Sequence, residues 1–138
     1  MQTIVVGYDG SEHADRALAR AMDIAKAMGA PLRVVSSVKI VAGAHPRGGV
    51  SPLDPGDVEE TEAAIEKARG LVAGSGLDAE VIEGHGDPAD VLVQEAEATG
   101  ADLIVVGTRG MSGATRWLIG SVSTKVVHHA PCDVLVVR

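Results

Sequence analysis

The stretch GTRGMSGATRWLIGSVST, residues 107–124, places glycine at 107, 110, 113 and 120 and hydroxyls at Ser121 and Ser123. Glycine inside a helix or strand costs roughly 0.5–1 kcal/mol relative to alanine, so such a cluster either serves backbone geometry or simply bends a loop. The chemistry it fits is anion binding. A helix N-terminus carries about half a positive charge, its first N–H groups lack internal partners, and glycines let backbone approach phosphate oxygens. Two separated turns, Gly107–Gly110 and Gly120–Ser123, would then close on one ligand, with the two serine hydroxyls as extra donors. The competing reading is that Ser121 only caps a helix, and the local sequence leaves both open. The stretch is not a P-loop, because GxxxxGK[ST] is absent, and it is not a dinucleotide fingerprint, because it does not follow the first strand-like run.

The second group is Asp9 in VVGYDGSE, directly after the first apolar run. A carboxylate there can bind a ribose hydroxyl, hold a magnesium ion through water, accept a phosphoryl group, or shape a turn with Gly10. If the first and fourth strands are neighbours, Asp9 faces the glycine cluster and the pair reads as a nucleotide site with Mg²⁺. An aspartyl phosphotransferase would want a second acid two residues on, where Ser11 stands. The five histidines show no ligand spacing, so no metal site is expected among them. Adjacent His128 and His129 read as complements to a helix C-terminus. Neither an acid–base pair nor a Ser/His/Asp constellation is legible, so no catalytic residue is assigned.

These groups need elements to hold them. Short apolar runs at 3–8, 32–38, 78–83, 102–107 and 133–138 read as five buried strands, and the amphipathic stretches between them as helices. The first helix is capped by Ser11 and stopped by Gly29 and Pro31. A second is expected over 57–73 with Asp57 as its cap, a third from Asp87-Pro88 to Gly100, and a fourth from Ser121 to near His129. His85 is placed in the GHGDP turn. Alternating β and α with right-handed crossovers predicts a doubly wound parallel sheet with helices on both faces, whose ligands sit beyond the carboxyl ends of the strands. The Gly- and Pro-rich connection at 39–56 also follows a strand, and its length reads as functional or disordered.

Composition narrows the classes. The chain of 138 residues suits one domain, 1–138, with a core built from Ala, Val, Ile, Leu and Met, since it has no Phe, one Trp and one Tyr. A net charge of −7 with no aromatic platforms argues against nucleic acid as a partner. No apolar run approaches the ~20 residues that span a bilayer, and no leader pattern precedes the first run, so no membrane partner and a cytoplasmic location are expected. Cys132 is the single cysteine and reads as a buried thiol.

Taken together these residues resemble the universal stress protein family over nearly the whole chain. IVVGYDGSEHADRALARAMDIA is similar to its opening strand and helix, EGHGDPADVLVQEAEATGADLIVVGTRG to its third strand through fourth strand, and HHAPCDVLVVR to its ending. The most specific element is G-x2-G-x9-G-[ST], met by Gly107, Gly110, Gly120 and Ser121, which marks the ATP-binding members. The resemblance implies an adenine nucleotide alpha hydrolase-like fold with strand order 3-2-1-4-5. It implies ATP, with Mg²⁺ held by phosphates and water. Asp9 would lie near ribose and metal, with Val38 presenting backbone to adenine. Gly107, Arg109 and Gly110 would line ribose and phosphates, and Gly120, Ser121, Val122 and Ser123 would hold the phosphate chain. A homodimer through Val134–Val137 is also implied, which would cover an otherwise apolar edge. The implied role is a nucleotide-dependent stress-response module; a slow ATPase or phosphotransferase and a binder of cyclic AMP are the alternatives. The chain departs from the family in Asp133, where proline usually follows the cysteine, and in the bulk of Tyr8.

Overall fold

A computed structural model describes residues 2–38, 55–108 and 120–138. Five strands and four helices alternate: β1 (Ile4–Gly7), α1 (Glu12–Met28), β2 (Leu32–Val38), α2 (Pro55–Val72), β3 (Ala79–His85), α3 (Pro88–Thr99), β4 (Leu103–Gly107), α4 (Ser121–His129) and β5 (Asp133–Val137). They form one parallel sheet in the order β3-β2-β1-β4-β5, as the resemblance implies. The chain therefore winds outward from β1 in both directions, and β1 beside β4 is the point where the order reverses.

Side-chain alternation explains the two layers. Ile4, Val6 and Tyr8 point to the face covered by α1 and α2, where Leu18, Ala21 and Ala68 meet them. Val5, with Val35, Ile104 and Val106, points to the opposite face, covered by Leu92, Ala96 and Val126. Both faces are buried, which is why the strands read as continuous apolar runs rather than as alternating ones. Much of the helix surface against the sheet is alanine, so the helices can lie close to it without aromatic filler.

The helix ends largely follow the local sequence. Ser11 caps α1, its side chain accepting from the Ala14 N–H, and Gly29 ends it at φ 64°. Asp87 caps α3 ahead of Pro88, and Gly100 closes it at φ 64°. Two expectations need correction. Helix α2 begins at Pro55, so Asp57 lies inside its first turn instead of capping it; proline's fixed φ suits the first helical position. His85 is the last residue of β3, paired in register with Val38, and not part of the turn; the ladder extends because Gly86 N–H still donates to the Val38 carbonyl at 2.8 Å. Most of the connection at 39–56 lies outside the described residues.

Candidate functional site at the β1–β4 switch point

Strand β1 pairs with β2 on one side and β4 on the other, so the chain leaving β1 and the chain leaving β4 emerge side by side at the carboxyl edge. Asp9 follows β1 and is solvent-exposed. Its Oδ1 accepts from the Ser11 N–H at 3.0 Å and from the Ser11 hydroxyl at 2.5 Å. Those two bonds close the turn through Gly10, whose φ of 83° lies in the left-handed region that glycine tolerates. Beneath the turn, Tyr8 N–H donates to the Val35 carbonyl at 2.9 Å, and the Ser36 hydroxyl donates to the Tyr8 carbonyl at 2.8 Å. The expected adjacency of Asp9 to the end of β4 is thus present in the fold.

Gly107 ends β4, and its hydrogen in place of a side chain serves helix α1. A Cβ added there would come within 2.9 Å of the His13 carbonyl oxygen and 3.0 Å of the His13 carbonyl carbon. The next residue, Thr108, is a junction that the sequence reading did not single out. Its N–H donates to the Val137 carbonyl at 2.9 Å, and its own carbonyl accepts from Gly120 N–H at 2.5 Å and from the Ser123 hydroxyl at 3.4 Å. Thr108 Oγ1 lies 3.3 Å from His13 Nδ1. The end of β4, the start of α4 and the first turn of α1 are thereby fixed to one another.

Helix α4 starts differently from α1 and α3. Its cap is Gly120, in extended conformation, which has no side chain to bond the helix's first N–H groups. Ser121 is therefore the first helical residue and not the cap. It is exposed, Val122 is partly buried, and Ser123 is buried. The Ser123 hydroxyl donates inward, with the Gly120 carbonyl at 3.1 Å as its nearer acceptor, so what this residue can offer a ligand is its backbone N–H. The arrangement suits an anion: a dipole end, first-turn donors that the cap residue itself does not satisfy, and an exposed serine together. Lys125, one turn further on, ties α4 to the start of α3 through Asp87 Oδ2 at 3.1 Å and Asp90 Oδ1 at 3.0 Å. Burial alone would raise the Asp87 carboxyl, but the Lys125 bond and the helix N–H groups outweigh it and hold the carboxyl below its ordinary value.

Val38 is the last residue of β2 and is buried. Its carbonyl already accepts from Gly86 N–H, while the Ser37 hydroxyl donates to the Gly86 carbonyl at 2.9 Å. A carbonyl has a second lone pair, so one acceptor position at the strand end is still compatible with a ligand. Arg109 and Gly110 lie outside the described residues, as does Gly113. The structure thus brings Asp9, Gly107, Gly120, Ser121, Val122 and Ser123 to the same edge of the sheet, with Val38 on the far side of β1. Among the described residues there is no group of three or more His, Cys, Asp or Glu that could hold a metal ion.

A parallel sheet wound both ways from β1, with a glycine-capped helix start beside an acidic turn at the reversal point, defines an α/β protein of the class that takes ligands at the carboxyl strand ends. The chain belongs to the universal stress protein family, whose model matches residues 1–138. A universal stress protein of Thermus aquaticus is 39% identical over 137 residues, covering 99% of this chain and 98% of that one. A universal stress protein solved in complex with cAMP is 32% identical, with a TM-score of 0.74, covering 99% and 97% of the two chains. The universal stress protein of Archaeoglobus fulgidus in complex with dAMP is 26% identical, with a TM-score of 0.76, covering 100% and 98%.

Proposed function

We propose that this protein is an ATP-binding universal stress protein, a single regulatory module over residues 1–138 that takes the nucleotide at the β1–β4 edge. The observation that carries this reading is the start of α4. Where α1 and α3 satisfy an early N–H with the cap side chains of Ser11 and Asp87, α4 is capped by Gly120, which has no side chain to do so. The adenine nucleotides bound by two relatives of the same fold support a nucleotide as an acceptor at that helix start. In this reading Gly120, Ser121, Val122 and Ser123 hold the phosphate chain, mainly through backbone N–H groups. Gly107, Arg109 and Gly110 line ribose and phosphates, Asp9 meets the ribose and the Mg²⁺ that ATP carries, and Val38 offers backbone to the adenine. The donor set fits that group: it is rich in N–H and hydroxyl donors, with one carboxylate at the ribose end.

The test is calorimetric titration of the purified protein with ATP in the presence of Mg²⁺, beside AMP and cyclic AMP. Saturable ATP binding that weakens about tenfold or more in Gly120→Val supports the reading, since a side chain at the cap obstructs close backbone approach. Absence of saturable ATP binding overturns it. The relative solved with cAMP makes cyclic AMP the second reading, favoured if that ligand binds more tightly than ATP. Hydrolysis is a separate matter: phosphate release abolished by Asp9→Ala would make the protein a slow ATPase.

The same reading includes a cytoplasmic homodimer. β5 is an edge strand of the sheet, and Val134, Leu135 and Val136 are only partly buried there. A second copy paired along Val134–Val137 would cover that apolar edge. Sedimentation measurements on the wild type and on Val136→Lys decide it: a dimer that the lysine dissociates is expected.

A further inference from the structure

Tyr8 stands out on two counts: it is the single tyrosine of the chain, and it is 97% buried immediately before Asp9, with 3% relative exposure. Its hydroxyl is already engaged within the fold and is not left open to a ligand. It donates to Asp15 Oδ1 at 2.5 Å, one turn into α1. Asp15 Oδ2 in turn accepts from Lys67 Nζ at 2.8 Å, and the same Nζ lies 3.4 Å from the Gly10 carbonyl. Lys67 belongs to α2, the helix that follows the long connection, and Ala64 one turn earlier is what a Cβ at Gly10 would meet, at 3.6 Å. Three elements therefore converge on the turn that carries Asp9: β1 through Tyr8, α1 through Asp15, and α2 through Lys67 and Ala64.

We propose that Lys67 is a positioning residue for Asp9: by bridging the Asp15 carboxylate and the Gly10 carbonyl it clamps α2 onto the Asp9–Gly10 turn, and so sets how that carboxylate meets a nucleotide. The proposal deepens the ATP reading and rests on it for its ligand. The left-handed Gly10 gives the turn backbone freedom that a residue with a side chain would not have, and beyond the internal Ser11–Asp9 bonds an outside contact can add to its order. Inside, the Tyr8 N–H and carbonyl are both used by β2, which fixes the strand end but not the turn beyond it. The Lys67 clamp acts on the turn itself, at the Gly10 carbonyl. A primary ammonium suits this task because its three donors can serve a carboxylate and a carbonyl at once.

The experiment compares Lys67→Met, which keeps the aliphatic stem, with Lys67→Arg, which restores the charge, each alone and combined with Asp9→Ala. Two readouts are taken: ATP affinity with Mg²⁺ by calorimetry, and amide hydrogen exchange at Ser11, whose N–H is held by Asp9 Oδ1. Lys67→Met is expected to weaken ATP about fivefold, the size fitting loss of one partly exposed ion pair that orders a ligand-facing turn. Ser11 exchange should quicken by a similar factor, and Lys67→Arg should recover most of both. In the Asp9→Ala background Lys67→Met should change ATP affinity by less than about twofold, since the group it positions is gone. Unchanged Ser11 exchange in Lys67→Met overturns the proposal. So does an affinity loss of equal size with and without Asp9, which would mean a general structural effect. If the wild type binds no adenine nucleotide, the proposed function falls while the Ser11 exchange comparison still decides whether Lys67 holds the turn.

Discussion

Replacing Gly107 by alanine probes what the first glycine of the 107–124 stretch is for, and Gly7→Ala supplies a control at the same nominal distance. A Cβ on Gly107 would sit 2.9 Å from the His13 carbonyl oxygen and 3.0 Å from both its carbonyl carbon and its Cβ. Two of these are backbone atoms of a helix packed against β4 and the third is fixed to that backbone, so α1 or the end of β4 must move. A Cβ on Gly7 would also meet an atom at 2.9 Å, but that atom is Leu92 Cδ1, the far end of a side chain that can turn. Neither glycine has positive φ, so alanine carries no backbone penalty at either position. Both variants gain the same ~0.4–1 kcal/mol from a stiffer unfolded chain. Overpacking against a fixed neighbour costs about 1–3 kcal/mol, so Gly107→Ala should be less stable than Gly7→Ala by about that amount. At this chain length the difference corresponds to a fall in Tm of roughly 4 °C per kcal/mol. Urea and thermal unfolding of the two variants, without nucleotide, make the comparison. Equal stability of the pair would refute the claim that Gly107 is required by α1. A deficit that appears only with ATP present would show that the glycine faces the ligand.

Ser11→Ala removes both the cap of α1 and the hydroxyl donor to Asp9, so it should cost about 1 kcal/mol in urea unfolding while also weakening ATP, whereas a cap lost elsewhere would affect stability alone. The pH dependence of stability follows from Asp15. Burial alone would raise its carboxyl, but the bonds from Lys67 and Tyr8 and the Lys67 charge outweigh that and hold it below the ordinary 3.8. A carboxyl lowered in the folded state contributes stability that is fully present above the unfolded value and is lost as pH falls through the folded one. Urea midpoints of the wild type should therefore drop below about pH 4, and Asp15→Asn should flatten that drop. Because the pair is partly exposed, the contribution removed is no more than about 1 kcal/mol, and an unchanged acid limb in Asp15→Asn would count against it.

Most of the scaffold was legible because it rests on local signals. Ser11, Gly29, Asp87-Pro88 and Gly100 punctuate the helices where their chemistry says they should, and five apolar runs in a β/α alternation leave few topologies. The strand order itself was not a local property; it came with the family resemblance. Local reading misplaced two ends, one governed by a partner distant in sequence and one by a proline at the helix start. His85 stays in the sheet because Gly86 continues the bonding to β2, and α2 starts at Pro55, two residues before the aspartate that looked like a cap. Of the site, the motif residues were visible as types and spacing. Thr108 and Lys67 were not, since their importance lies in a carbonyl and an ammonium meeting groups far along the chain.

The glycines of the 107–124 stretch divide into different physical roles, and this changes what the motif can be taken to mean. Gly107 is required by the close approach of the His13 backbone, a contact that exists with or without a ligand. Gly120 occupies the cap of α4, donates to the Thr108 carbonyl, and has no side chain of its own to satisfy the first-turn N–H groups. The second role is the one that bears directly on phosphate donors; the first leaves Gly107 to line the site through its backbone alone. A related chain that kept the glycine at 107 but carried serine or aspartate at 120 would keep the packing of α1 on β4 while filling its own phosphate donors, in the way Ser11 and Asp87 do for their helices here. Gly120→Asp in this protein makes that distinction directly. The new carboxylate caps α4 from within, so thermal stability should hold or rise by up to about 1 kcal/mol while ATP affinity falls at least tenfold through competition and charge repulsion. Retained affinity with the aspartate in place would mean that the phosphates are not held at this helix end.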